Sequence, residues 1–399
     1  MDLRTEALTL LRANRRRTGE GHQYTVPSPS TYPYQWLWDS CFHAIVLAKL
    51  EPDAAKAELF ALLSRQLPDG MIPHMIFWRP KITRPYKLWW GKSGVSSITQ
   101  PPLMAYAAYE IYKATGDLAF LKEVFPKILA FHTYLIEQRD PHDQHLINII
   151  NPDESGEDNS PRFDLAMRVK SNISFFAHMW KRHQLVVANR TCGFDPLTCM
   201  QEQFWVKDVP FNSILVKDLS VLAKIAGLLG NHEAKEFATL HHDLIKFTMR
   251  EYLMAEGVLW SAIGFEHGHL KVATWAHFAP LFAGIYTPEE ARALIEQHFN
   301  DTETFRSTYG IRTVSKKEPS YRRDGFWRGP IWFAPHWFIH KGLKDYGFDE
   351  EAAWLRDTTL GLVKRNGFRE YFDPETGKAY GARNFTWGTL VLDMMDTHE

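Results

Sequence analysis

Leu215, Leu219, Leu222, Ala226 and Leu229 recur at steps of four, three, four and three. That spacing places them on one stripe of an amphipathic helix, which Gly230 ends. Comparable patterns predict helices near 3–14, 39–50, 53–66, 99–114, 117–138, 167–188, 231–253, 287–299, 328–345, 349–365 and 386–395. Alternating β-branched runs are scarce: only Ile147-Asn148-Ile149-Ile150 and Gly257-Val258-Leu259-Trp260 suggest short strands. The reading is all-α, with about twelve helices.

Some helix pairs are joined tightly, as at Glu51-Pro52-Asp53 and Gly116-Asp117, where a stop is followed at once by an Asp able to cap the next helix. Others are separated by long polar-aromatic stretches at 67–98, 139–166, 300–326 and 366–385. Long structureless loops inside a compact domain are usually functional or disordered, and their aromatic content argues against disorder. Short and long connections in alternation suit a toroid of six helical hairpins, with one rim of tight turns and one of pocket-building loops. No linker, charge block or repeat divides the chain, so 1–399 reads as one domain.

Composition narrows the function. Lys and Arg number 46 against 47 Asp and Glu, so no global positive field exists to hold a nucleic acid. No apolar run reaches the length of a membrane span, and the first residues lack a signal-peptide core, so a cytoplasmic protein is expected. The three cysteines, Cys41, Cys192 and Cys199, make no disulfide framework and match no zinc spacing, which fits a reducing compartment. The 14 Trp, 15 Tyr and 26 Phe stand out. Trp is a costly core filler because its indole N–H needs a partner, so clusters of it in loops point to flat apolar faces kept for a ligand such as a sugar.

Four stretches carry candidate chemistry. In Tyr32-Pro33-Tyr34-Gln35-Trp36-Leu37-Trp38-Asp39, Asp39 either caps the following helix or accepts sugar hydroxyls between stacking walls. In Asn151-Pro152-Asp153-Glu154-Ser155-Gly156-Glu157-Asp158-Asn159-Ser160-Pro161-Arg162, four acids fall within six residues. An EF-hand is excluded because Arg162 stands where the bidentate Glu belongs; a carboxylate crowded by others instead has its pKa raised, as a general acid requires. Glu370 lies between aromatics, whereas Glu375 sits in a surface turn. Trp327 and Trp332 bracket a Gly-Pro turn beside Asp324 and Arg328 and either pack between helices or form a binding rim. His74 and Gln100 stand just outside helices, as loop hydrogen bonders or ligand contacts. No HExxH, Walker, dinucleotide or nucleophile-elbow motif is present, and neither metal nor cofactor is expected.

Taken in order, Tyr32-x-Tyr34-Gln35-Trp36-x-Trp38-Asp39, Gly70-Met71-Ile72-Pro73-His74, Thr99-Gln100-Pro101-Pro102, Glu157-Asp158-Asn159-Ser160-Pro161-Arg162, Gly325-x-Trp327-Arg328-Gly329-Pro330-Ile331-Trp332 and Glu370-Tyr371-x-x-Pro374-x-Thr376-Gly377 resemble glycoside hydrolase family 63. The similarity is greatest to its short bacterial branch acting on mannosylglycerate or glucosylglycerate. The resemblance implies a single (α/α)6 barrel and hydrolysis of an α-glycosidic bond with inversion, with Asp158 as general acid and Glu370 as general base. Inversion leaves room for water, so the two carboxyl groups are expected roughly 6.5 to 9.5 Å apart.

By the same resemblance, Tyr32, Trp36, Trp38, Asp39, His74, Gln100, Asn159, Arg162, Trp327, Trp332 and Trp387 would bind substrate, and 78–97, with Trp89, Trp90, Gly91 and Gly94, would close as a lid. A glycerate carboxylate calls for a cation, with Arg162, Arg168, Lys217, Arg322, Arg328 and Arg383 available. Phe385 departs from the pattern, standing where a polar side chain is expected near the aglycone. The alternatives are a hydrolase of neutral α-glucosides, trehalose-like or oligosaccharide, and a non-catalytic sugar-binding barrel.

Overall fold

The computed structural model describes residues 2–78, 90, 94–171, 173–202 and 204–395. Among these, six helical segments pack side by side in a closed inner ring: Leu37–Leu50, Met104–Thr115, Val209–Leu228, Ala279–Phe282, Phe333–Asp345 and the 3-10/α pair Thr386–Leu390 and Val391–Met395, which returns to the first. Every residue from 37 to 48 is buried, as is nearly all of 209–222 and 333–343. Helices apolar on all sides belong in the middle of a fold.

The outer ring comprises Leu3–Asn14, Pro52–Leu63, Leu118–Arg139, His232–Thr248, Pro288–Leu294 and Asp349–Asn366. These bury one stripe each, for example Ala352, Leu355, Thr359, Leu362 and Val363 on the last. Leu3–Asn14 packs on Leu37–Leu50 and Thr386–Leu390, so the first helix completes the last hairpin. The chain is thus an (α/α)6 barrel.

Connections from an inner helix to its outer partner are short: residue 51, then 116–117, 229–231, 283–287 and 346–348. Local chemistry starts the outer helices. Asp117 accepts from Phe120 N–H, Asn231 from Ala234 N–H, and Thr287 forms a capping box with Glu290. All long connections run from an outer helix to the next inner one and gather on one rim, where the N-termini of the inner helices also lie. That rim carries the positive ends of the helix dipoles.

The observed boundaries correct several expectations. The helix expected from 99 begins at Met104, because Pro101 and Pro102 hold the preceding chain extended. The one expected from 328 begins at Phe333, after Gly329 at φ 154° and a short strand Ile331–Trp332. The helix recognised from Leu215 starts at Val209, capped by Asp208. The segment expected at 167–188 forms Phe175–Thr191, which lies outside both rings, while the short inner helix Ala279–Phe282 shows no readable periodicity. Ile149 makes a single bridge with Val206, and Val258–Leu259 pairs with Met254–Ala255.

Cys192 and Cys199 are joined by a disulfide, which overturns the reduced-thiol expectation for this pair. The turn between Phe175–Thr191 and the helix Pro196–Glu202 brings their Cα atoms to 5.4 Å. Cys199 is buried in a satellite cluster with Tyr34, Met75 and Trp90; Cys41 is free and buried. No helix among the described residues is long and apolar enough to cross a membrane. Of the expected lid, Trp89 and Gly91 lie outside the described residues, which include only Trp78, Trp90 and 94–97.

Candidate active site

A cavity of about 480 Å³ opens on the long-loop rim. Its wall is built from five of the long connections and from the first turns of two inner helices. Of the residues singled out in the sequence, Tyr32, Trp36, Trp38, Asp39, His74, Gln100, Asp158, Trp327, Trp332, Glu370 and Trp387 line it. Residues more than 300 positions apart in the chain thereby share one hole.

Glu370 belongs to the strand Arg369–Phe372, the middle of a three-stranded sheet with Ile331–Trp332 and Ala379–Arg383. The pairing with the third strand shifts register between Arg369 and Tyr371. Such an irregularity re-aims the side chain it carries. Glu370 Oε1 accepts from Tyr32 Oη at 2.6 Å and Oε2 from Ala382 N–H at 2.5 Å. Burial, with the nearby Asp158 charge, raises the Glu370 pKa above the ordinary carboxylate range, while the two hydrogen bonds hold it down. The Tyr32 hydroxyl, buried beside acids, has its own pKa pushed well up and stays a donor.

Asp158 follows the 3-10 turn Pro152–Ser155, which Asn151 caps by accepting from Asp153 N–H. Its Oδ2 pairs with Arg182 at 2.8 Å; its Oδ1 is buried and has no hydrogen-bond partner among the described residues. Arg182 also grips Asp153. Arg182 and Met179 reach the cavity from Phe175–Thr191, the helix outside the rings.

Asp39 is not the helix cap. The cap position is Trp36, and Asp39 sits in the first turn, accepting from Trp387 Nε1 at 2.6 Å. Burial raises its pKa to about 6. Gln100 Oε1 accepts from Trp38 N–H at 3.4 Å. His74 bonds Ser96 Oγ through Nδ1 at 2.6 Å, and burial lowers its pKa to about 3, so the ring is neutral. Trp327 and Trp332 stack at 4.0 Å and 7°, and Trp332 stacks on Tyr371 at 5.1 Å. Both indoles are at most 2% exposed, so each packs in the core and presents one edge to the cavity.

Asn159 and Arg162 do not line the cavity, in contrast to expectation. Asn159 accepts from the backbone N–H of Trp327 at 2.9 Å and so fixes the chain that carries the indole. Arg162 is fully engaged beneath the floor, bonding both oxygens of Glu157 and both of Asp208 at 2.7 to 3.2 Å. Neighbours of Asp158 in sequence thus face away from it because the turn rotates them.

The other candidate cations are also elsewhere: Arg328 is bidentate to Asp164, Lys217 pairs with Asp345, and Arg168, Arg322 and Arg383 are exposed. Among the described residues Arg182 is the cation that lines the cavity. Sequence reading did not single it out, whereas Tyr34, Trp90, Asp153 and Phe385, named there in the candidate stretches, the lid or near the aglycone, also stand on the wall with Phe326. Arg182 lies on an ordinary-looking basic helix, and nothing local sets it apart.

This geometry, two acids and stacked indoles in one hole, agrees with comparisons to known proteins. The mannosylglycerate hydrolase MGH1-like glycoside hydrolase domain matches residues 32–388. The mannosylglycerate hydrolase of Thermus thermophilus is 32% identical over 405 residues, covering 92% of this chain and 95% of that protein. The glucosylglycerate hydrolase of Mycolicibacterium hassiacum is 27% identical over 458 residues, covering 98% and 97%. The crystal structure of a family 63 mannosylglycerate hydrolase from Thermus thermophilus in complex with Tris and D-glycerate superposes with a TM-score of 0.89 at 32% identity, over 100% of both chains. The chain belongs to the MGH1-like glycoside hydrolases of family 63.

Proposed function

We propose that this glycoside hydrolase cleaves an α-linked hexosylglycerate, glucosylglycerate or mannosylglycerate, with inversion. The observation that carries the reading is the pair of carboxylates on one aromatic cavity, with Arg182 beside one of them. In this reading Asp158 delivers a proton to the glycosidic oxygen as the C–O bond breaks. Glu370 takes a proton from a water that attacks the anomeric carbon from the opposite face. Its raised pKa makes it a stronger proton acceptor than an exposed carboxylate.

Trp36, Trp38 and Trp387 offer apolar edges to sugar C–H bonds, while Asp39 and Gln100 orient hydroxyls. Asp39, Gln100 and Glu370 are all buried, so each is worth more here than in water. The leaving group departs on the Asp158 side, where Arg182, already paired with Asp153 and Asp158, is the cation among the described residues that lines the cavity and could also meet a glycerate carboxylate. The Thermus thermophilus enzyme crystallised with D-glycerate and the hydrolases named for mannosylglycerate and glucosylglycerate support this aglycone. The proposed place of action is the cytoplasm.

The test is to incubate the enzyme with glucosylglycerate, mannosylglycerate, trehalose and kojibiose and follow the anomer released by NMR. Expected is rapid release of the β-anomer from a hexosylglycerate alone, and its loss in Asp158→Ala and Glu370→Ala by about 10²- to 10⁴-fold. Preferential turnover of trehalose or kojibiose, or initial release of the α-anomer, overturns it.

A further inference from the structure

An acid that must donate a proton is poorly served by a direct ion pair, because an adjacent guanidinium favours the ionised carboxylate. Asp158 has such a pair, 2.8 Å from Arg182. The same Arg182 nitrogen, Nη2, also contacts Asp153 Oδ1. We propose that Asp153 is a positioning residue for catalysis: by sharing Arg182 it offsets the guanidinium charge that Asp158 would otherwise face alone, so that Asp158 can serve as the proton donor. This rests on the reading of Asp158 as the acid.

With both carboxylates ionised the trio carries one net negative charge, and a single proton brings it to zero. The proton has a place to sit, since Asp158 Oδ1 is buried without a partner among the described residues. Asp153 is more enclosed than Asp158, with side chains 12% and 26% exposed.

The surroundings add no second free cation among the described residues. On the helix that carries Arg182, His178 is held neutral by burial, with its pKa lowered to about 3. Arg328 is committed to Asp164, Arg162 to Glu157 and Asp208, and Arg139 to Glu154. Facing Asp158 from the other elements are Glu370 and Tyr32, acidic and neutral. Arg182 is thus the positive charge that Asp153 has to offset.

The experiment compares Asp153→Asn, Asp153→Glu and Asp158→Asn on glucosylglycerate or mannosylglycerate, whichever the wild type cleaves, and on the matching α-hexosyl fluoride, whose leaving group departs without a proton. Removing the anion leaves the full Arg182 charge on Asp158. The alkaline limb of the kcat/KM profile in Asp153→Asn should then move to lower pH by about one unit or more. Hexosylglycerate turnover should fall about 10-fold or more above that limb, while fluoride hydrolysis stays within about threefold of wild type. Asp153→Glu should restore the limb.

An unmoved limb, or equal loss on both substrates at every pH, makes Asp153 merely structural and overturns the inference, provided Asp158→Asn is impaired on the glycoside alone. If Asp158→Asn keeps full glycoside turnover, the acid assignment itself fails and the inference with it.

Discussion

A Cβ atom placed on Gly381 would lie 2.2 Å from Glu370 Oε2. No side chain fits there, and Gly381 also adopts φ +64°, a region costly for other residues. The glycine lets the carboxylate lie flat against the neighbouring strand, where Ala382 N–H holds it.

Gly381→Ala should therefore act on catalysis through Glu370. A displacement of the base by about 1 Å is expected to lower kcat about 10²-fold. KM should change little and the far-ultraviolet circular dichroism not at all. Wild-type kcat in this variant would separate Gly381 from the placement of the base.

Tyr32→Phe removes the 2.6 Å hydrogen bond that stabilises ionised Glu370. That bond lowers the Glu370 pKa, so its loss raises it. As the proposed base Glu370 must be ionised to work, and the acid limb of the kcat/KM profile should move to higher pH. A limb that stays in place, measured from about pH 4 to about pH 8, would show that Tyr32 does not tune this group.

Trp327→Ala reports on both binding and packing. The indole is 1% exposed and stacks on Trp332 at 4.0 Å, so its loss should cost about 3–5 kcal/mol of stability by chemical denaturation. KM for the glycoside should rise as well, because the same ring edges the cavity. An unchanged KM would assign it to the core alone.

The Cys192–Cys199 bond predicts one titratable thiol, Cys41, in the unfolded protein before reduction and three after. Closing so short a loop should stabilise the fold by about 2.5 kcal/mol in the chain-entropy view, read as a lower melting temperature on reduction. Three thiols without reductant would show the pair unbonded in solution.

Features written in adjacent residues are legible before folding. The stretch 32–39 announces itself because aromatics cluster ahead of a helix, and Glu370 because its neighbours are aromatic. Asn159 and Arg162 share a motif with Asp158 yet point to the Trp327 backbone and to Asp208 rather than into the cavity, since a tight turn sends successive side chains in different directions. The expected number of helices survives for a compensating reason. Periodicity makes Phe175–Thr191 look like a barrel helix, but it lies outside the rings, while Ala279–Phe282, a single turn, fills an inner position.

The amino-acid sequence alone determined the barrel class and the alternation of short and long connections, and it singled out Asp158 and Glu370, which line one cavity. Each of these is written in local periodicity or in runs of adjacent residues. Only the tertiary structure decided that Arg182 joins Asp153 and Asp158, that Gly381 makes room for Glu370, and that Cys192 meets Cys199. Those are pairings across folded space, and hydrophobic spacing along one chain carries no record of which distant charge will be brought beside which acid.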